Sequence, residues 1–401
     1  MSLLPVSEAL SRVIGACKVN GTETVALNQA LGRVLAEDLP ANFTQPAFNA
    51  SSMDGYAVRY EDLRRKPTAL IVIGAAPAGH AFEGTVEQGQ AVRIFTGAPL
   101  PEGADTVVMQ EHTERNGDIV VIQKNPPARG HFVRPKGMDF SSGEVLLRAG
   151  RRLGPREIGL AAAMNHAMLP VRRRPVVAVL ATGDELVMPG GTPRPDQIIA
   201  SNSFALEALI RGCGAEVMDL GLAEDNRESL IAAGKNARAA DIIVTTGGAS
   251  VGEHDLVIGA FQELGLKVDF WKVAQRPGKP MIFGHIGDSL FLGLPGNPVS
   301  ALVCAAVYLQ PMIVKMLGLP PQSIFRTAVL NEDLPANDER QDFLRAKLGT
   351  SPSGELLVSA FSRQDSAMLN ILARADALLI RPPHARAAKA GEQVEIIRLE
   401  F

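Results

Sequence analysis

The sequence predicts a multidomain protein of the α/β plus β class, and three observations carry that expectation. Apolar strands alternating with amphipathic helices fill residues 174–323. Short β-rich segments parted by Gly, Pro and Asn-Gly turns fill 48–147, and the same pattern returns over 324–401. The 401 residues agree with this division, since single cores stop growing at about 250–300 residues.

The N-terminus opens with Val6, Leu10, Val13, Ile14 and Cys17 at helical spacing, the mark of an amphipathic helix rather than a signal peptide. A helical stretch is expected around Thr24–Leu35, and then the short strands 71–76, 91–97, 106–111, 118–124 and 144–150. Residues 151–164 read as another helix. The flanking pieces 27–47 and 148–173 are expected to meet as a small connecting domain, through which the β-rich insertion 48–147 is plugged.

The α/β stretch begins with the apolar strand 175–182. A helix over 203–214 follows, with Ser203 as its cap, Leu206, Leu209, Ile210 and Cys213 on one face, and glycine stops. Strand 215–222, helix 227–240, strand 241–248, helix 255–265, a strand near 266–273 and a final helix after Asn297 complete the alternation, which implies a parallel sheet with crossover helices. Strands 326–330, 342–349, 355–361, 375–383 and 392–399 then imply a small C-terminal β domain, barrel-like in its succession of short strands.

Composition narrows the function. Hydrophobic residues make up 46% and charged residues 21%, values of a folding chain rather than a disordered one. A net charge of -3 provides no basic field, so no nucleic-acid partner is expected. No stretch approaches the roughly 18 uncharged apolar residues of a membrane span, and no membrane partner is expected. Cys17, Cys213 and Cys304 lie far apart without a CxxC pair, which favours reduced thiols and a cytoplasmic location. The seven histidines show no HExxH spacing, and neither GxGxxG nor GxxxxGK[ST] occurs.

Three strand ends carry chemistry-bearing sequence: Thr182–Leu186 (TGDEL), Thr245–Asp255 (TTGGASVGEHD) and Leu294–Ala301 (LPGNPVSA). Open parallel sheets collect ligands at such ends. Gly247, Gly248 and Gly252 let backbone approach an anion and Ser250 can donate to it, although Gly-Gly after a strand also reads as a plain tight turn. Asp184, Glu185, Asp225 and Asp255 converge on the same edge. Carboxylates around a phosphate pocket call for a hard cation such as Mg²⁺, while helix capping is the bland alternative. Lys272, Arg276 and Lys279 form a compact cationic cluster in FWKVAQRPGKP that suits a tetrahedral dianion, with Arg345 and Ser366 able to close it. A solvated basic edge is the alternative there.

Together, SSMDGYA (51–57), FTGAPLPEGADTVVMQE (95–111), RPKGMD (134–139), ATGDEL, TTGGASVGEHD, RPGKP and GLPGNPVSA make the chain strongly similar, end to end, to the MoeA family, whose relatives include the E domain of gephyrin. The resemblance implies an elongated homodimer of four-domain chains: an α/β domain (1–26 and 174–323) resembling molybdopterin adenylyltransferase, the connecting domain (27–47 and 148–173), the β insertion (48–147) and the C-terminal domain (324–401). It implies a molybdopterin molybdenumtransferase that uses Mg²⁺ to insert molybdate into molybdopterin-AMP with release of AMP. Matching motif positions, the implied cross-subunit site takes Asp54, Thr96 and Asp139 from the insertion. Glu185, Asp225, Asp255, Lys272, Arg276, Pro295 and Pro298 come from the α/β domain, with Thr182, Gly247, Gly248 and Asn297 binding substrate. Arg276, Lys279, Pro280, Ser250, Arg345 and Ser366 map onto the molybdate pocket, and Glu185 with Asp255 onto the Mg²⁺ site. Molybdopterin adenylyltransferase and cofactor-maturation proteins are possible partners by the same resemblance. Two departures stand out: RPGKP replaces the usual KPGKP, and Asp365 stands before Ser366 where glycine is usual, an added carboxylate that would be unfavourable if it pointed into the oxyanion site. The adenylyltransferase step itself and a non-catalytic clustering module are the competing readings.

Overall fold

A computed structural model describes residues 3–64, 67–247, 256–320 and 324–399. The chain divides into two compact units, one of Met1–Glu23, Gly32–Ala36 and Pro170–Phe401, the other of Thr24–Leu31 and Glu37–Leu169.

The first unit is built on a six-stranded sheet in the order Glu216–Ala223, Val176–Thr182, Ile242–Thr246, Ser289–Leu294, Ile282–Ile286, Lys267–Phe270. The first four strands run parallel, as the alternation predicts. The last two are antiparallel, so the expected all-parallel sheet is in fact mixed. Side-chain alternation divides the apolar strands between two cores. Val177, Val179, Val244 and Leu292 face Val6, Ala9 and Val13 of helix Val6–Ala16, together with Leu206, Leu209 and Ile210. Ala178, Leu180, Ile243 and Phe291 face Leu230, Val257 and Phe261 on the other side, where Phe261 and Phe291 pack with ring centroids 5.0 Å apart.

Helix Asn202–Cys213 stops at Gly214 in the left-handed region (φ 97) as its sequence predicts, but Ser203 is no cap: it sits buried in the first turn and Ser201 precedes the helix. Pro298 opens a helical run that reaches Met316, with a π turn over Ala305–Leu309. Pro311 cannot donate to residue 307 and its ring crowds that carbonyl, so widening just before it relieves the conflict. This run corrects the expectation that no segment is long and apolar enough to span a membrane. It meets that test over 19 residues, yet 78% of it is buried inside the fold, the position of a core helix.

The C-terminal strands of this unit close on themselves. Gln341–Thr350 pairs with Leu356–Ala360 on one side and Ala377–Arg381 on the other, and Phe325–Leu330 and Gln393–Arg398 complete the ring. Ala328, Leu330, Ala346, Val358, Leu379 and Ile396 fill it. The short strand Gln275–Arg276 adds to its rim in parallel, with Arg276 opposite Asp342.

The second unit holds a sheet in the order Thr106–Met109, Gly55–Val58, Gln90–Ile94, Thr68–Ala76, Ile119–Ile122, Thr113–Asn116. A two-residue turn after Asn116, with Gly117 at φ 59, makes the last hairpin. Helix Pro155–Ala163 forms where expected. The helical stretch expected over Thr24–Leu35 does not: Thr22–Ala26 is a strand and only Leu27–Gln29 turns, as a 3₁₀ segment. The Leu27 N–H is claimed by the Ala167 carbonyl instead of a helical partner.

Candidate functional site

Parallel register aligns Ala181, Thr246 and Leu294, so the segments that follow leave the sheet at one edge. They leave it in contact. A Cβ on Gly247 (φ 95) would lie 2.1 Å from the Thr182 carbonyl oxygen, and one on Gly296 would lie 3.5 Å from the Gly247 Cα. Only glycine fits at 247. Asn202 Nδ2 donates to Thr246 Oγ1 at 2.8 Å and to the Gly296 carbonyl at 2.7 Å, while Thr246 donates to the Pro295 carbonyl at 3.4 Å. Thr182, Gly247 and Pro295 therefore meet as expected. The hydroxyls of Thr182 and Thr245 are buried without a hydrogen-bond partner among the described residues.

Two of the four carboxylates are tied together through backbone: the Asp225 N–H donates to Asp184 Oδ1 at 3.0 Å. Neither caps the next helix. Asn226 does, accepting the Ser229 N–H at 2.8 Å. Glu185 is exposed and its carboxylate folds over Gly183, where a Cβ would meet Oε2 at 2.6 Å. Gly248, Ser250 and Asp255 lie outside the described residues, and among the described residues no three His, Cys, Asp or Glu side chains gather as a metal site.

The cationic cluster resolves into three environments. Lys272 Nζ lies 4.8 Å from the centroid of the neighbouring Trp271 ring. Arg276 grips Asp342 with two bonds, Nε to Oδ1 at 2.8 Å and Nη2 to Oδ2 at 2.6 Å, and reaches Asp338 through Nη1 at 2.9 Å. Hydrogen bonding to Asp342 raises the Arg276 pKa. Lys279 is half-buried and pairs with no carboxylate among the described residues; Pro280 beside it is half-buried too. Of the three, Arg276 is committed to Asp342 and Asp338, whereas Lys272 and Lys279 form no ion pair with a described residue.

Beneath the turn lies a buried polar network. Tyr308 donates to Gln275 Oε1 at 2.6 Å, and Gln275 Nε2 donates to the carbonyls of Pro277 and Gly278, both at 3.2 Å. Burial pushes the adjoining Cys304 thiol up to about 12, so it is inert packing.

Arg345 is the largest fully buried side chain, 1% exposed. Its Nη2 donates to the Asp365 carbonyl at 3.1 Å, a neutral acceptor, and its Nε has no partner among the described residues. Burial lowers its pKa, against the charges of Asp365 and Asp342. The Asp365 carboxylate accepts the Ala367 N–H at 2.8 Å. Ser366 is brought to the third strand end: its Oγ accepts from Asn297 Nδ2 at 2.9 Å and its carbonyl accepts the Val299 N–H, just inside the helix that Pro298 opens.

In the second unit, Asp54 Oδ1 accepts both the Thr96 N–H and the Thr96 hydroxyl at 2.8 Å. Those two donors hold its carboxyl below the usual carboxylate range. Gly55 is required beside it, because a Cβ would lie 1.9 Å from the Val108 carbonyl oxygen of the paired strand. Asp139 is exposed on a loop fixed by its N–H to the Gln45 carbonyl at 3.0 Å, and no hydrogen bond between described residues joins its side chain to Asp54.

Three family descriptions match in order: the MoeA N-terminal region (domain I and II) over residues 4–165, the "Probable molybdopterin binding domain" over 178–315, and the MoeA C-terminal region (domain IV) over 327–399. The chain belongs to the MoeA family. It is 38% identical to the molybdopterin molybdenumtransferase of Bacillus subtilis, over 98% of this chain and 94% of that one. With the enzyme of that name from Haemophilus influenzae it shares 36% identity over 94% and 93%. A crystal structure of a molybdopterin biosynthesis MoeA protein from Pyrococcus horikoshii superposes at a TM-score of 0.86, 32% identical and covering 100% of both chains. In this MoeA chain the residues that sequence reasoning missed are Asp342, Asp338, Gln275 and Tyr308. Asp342 carried a signal, a carboxylate three residues before Arg345 in the same strand. Gln275 and Tyr308 carried none, since each looks like an ordinary core or strand position. A cavity of 720 Å³ beside Asp241, Lys267 and His285 lies at the opposite edge of the sheet, away from the strand ends.

Proposed function

We propose that the chain is a molybdopterin molybdenumtransferase, which inserts molybdate into molybdopterin-AMP and releases AMP. The observation that carries this reading is Arg345: a guanidinium taken out of water, with an Nε that has no hydrogen-bond partner and with no ion pair among the described residues, suits an anion that arrives with the substrate. Lys279 supplies a second uncommitted cation, and the Asn297–Ser366 pair supplies neutral hydrogen-bonding groups. A tetrahedral dianion suits that set.

The phosphate end of the substrate belongs at the strand edge, where Thr182, Gly247 and Gly296 pack backbone to backbone. Asp184 and Glu185 are exposed oxygen donors without an ion-pair partner among the described residues, the chemistry a hard cation selects. Glu185 and Asp255 would hold Mg²⁺, which when bound neutralises phosphate charge. Asp54, oriented by its two Thr96 bonds, is the carboxylate placed to accept a dithiolene thiol proton. The two thiol protons leave with one oxo group of molybdate as water while two Mo–S bonds form, and water cleaves the phosphoanhydride to AMP.

The resemblance to the MoeA family adds to this reading a homodimer with a cross-subunit site. Phe43, Phe48, Met53 and Met138 are exposed around the Asp54 loop, an apolar group that a second copy would cover. A cytoplasmic setting, supported by three buried free cysteines, completes it.

AMP release from molybdopterin-AMP by the purified protein, with and without molybdate and Mg²⁺, is the test. Release that needs both is expected, whereas binding without turnover sinks the reading. Mixing inactive Asp54→Ala and Lys279→Ala proteins is expected to restore activity in heterodimers; no recovery would exclude the cross-subunit site.

A further inference from the structure

We propose that Gln275, locked in place by Tyr308, is a positioning residue for Lys279, fixing that cation in one frame with the Asn297–Ser366 pair. Lys279 has no ion pair among the described residues, so its backbone rather than a counter-ion decides where its ammonium sits. That backbone is held at three successive carbonyls. The Lys279 carbonyl accepts the N–H groups of Val273 at 3.0 Å and Met281 at 3.2 Å. The carbonyls of Pro277 and Gly278, which lead into it, both accept from Gln275 Nε2 at 3.2 Å. Gln275 is 0% exposed, and water cannot take over bonds made there.

Buried carbonyls need a donor, so the amide nitrogen of Gln275 must face the turn and its oxygen must face away. Tyr308 meets that oxygen, donating to Oε1 at 2.6 Å, and Cys304 Sγ accepts from Nε2 at 3.2 Å. Tyr308 and Cys304 stand one turn apart on the helical run that Pro298 opens, with Tyr308 inside its π turn. The same run begins at Asn297, which donates to Ser366 Oγ at 2.9 Å. One helix therefore carries the neutral hydrogen-bonding pair at its start and the clamp on the Lys279 turn farther along. A leucine would fill the space of Gln275 but offer the turn no donor. The inference rests on the proposed function in taking Lys279 as a molybdate ligand.

The experiment is steady-state AMP release from molybdopterin-AMP by the full chain, wild type against Q275L/Y308F, with thermal unfolding of both. Replacing both partners by apolar side chains of similar shape removes the amide without stranding the tyrosine hydroxyl, so the fold is kept. A displaced Lys279 weakens ground and transition states alike, so KM for molybdate is expected to rise about tenfold while kcat and KM for molybdopterin-AMP stay within about twofold. A molybdate KM equal to that of wild type overturns the inference, as does a loss spread over kcat and both KM values, which would make the network general packing. Should Q275L/Y308F fail to fold, Y308F alone decides: it keeps the amide and removes the bond that orients it, and a molybdate KM raised about threefold agrees, whereas an unchanged one overturns the inference. Wild type whose AMP release ignores molybdate sinks the proposed function and this inference with it, while a responsive wild type matched by the variant overturns this inference alone.

Discussion

At the scale of single residues, the RPGKP turn is shaped by how closely it approaches the helix beneath it. A Cβ on Gly278 would lie 2.4 Å from Cys304 Sγ and 2.6 Å from Gln275 Nε2, at a φ of 98. Gly278→Ala combines a left-handed alanine with an overlap against buried atoms, so a loss of about 2–4 kcal/mol is expected in thermal unfolding. An unchanged melting temperature would contradict the placement of the turn. Site residues were legible from sequence where the backbone alone sets them. Gly247 and the segment holding Pro295 and Asn297 follow from strand ends, whereas Asp54 and Thr96 are marked only by the family resemblance. Charged side chains were legible only as candidates, because which partner an arginine takes is a tertiary fact: nothing in RPGKP says that Asp342 lies across from Arg276. The added carboxylate of Asp365 looked unfavourable in sequence and proves to be satisfied by its own loop.

At the scale of elements, helix Pro155–Ala163 shows how one side chain holds a terminus. Glu157 accepts the Gly154 N–H at 3.0 Å and pairs with Arg151, which together pull its pKa from 4.5 to about 2, the Arg151 bond counting most. Its folded pKa is depressed, so the stabilisation is complete above about 4.5 and is lost as pH falls towards 2. Amide exchange in this helix should therefore separate wild type from Glu157→Gln near neutral pH, with the gap closing as the solution is acidified below 4.5. A gap independent of pH would mean that the carboxylate charge plays no part. Elements with clear periodicity and stops, such as Asn202–Cys213 and Val176–Thr182, were predictable. The hairpin Ile282–Ile286 to Ser289–Leu294 was missed because its second strand is buried along its whole length, so no alternation marks it. The expected Thr24–Leu35 helix failed for the opposite reason: its apolar spacing is helical, but pairing partners elsewhere in the chain claim its backbone.

At the scale of the whole molecule, the class of α/β plus β, the closed C-terminal ring and the separate β unit were all readable from the order of patterns along the chain. The antiparallel edge was not, since strand direction depends on which neighbours pair. The long apolar helix from Pro298 to Met316 is another whole-molecule fact, because only burial on every side distinguishes it from a span. The same dependence governs Arg345: its strand looks ordinary, and only the folded ring reveals a buried cation whose Nε has no hydrogen-bond partner among the described residues. A buried cation with an unsatisfied donor opposes stability, so replacing it with an apolar side chain of similar volume should not harm the fold. The most direct measurement is molybdate-dependent AMP release by wild type and Arg345→Met, followed over a molybdate titration and paired with thermal unfolding of both. The expected result is saturable dependence on molybdate in the wild type, loss of that response in the variant, and a variant melting temperature equal or higher. An Arg345→Met protein that responds to molybdate as the wild type does would contradict the oxyanion site on which the proposed function stands.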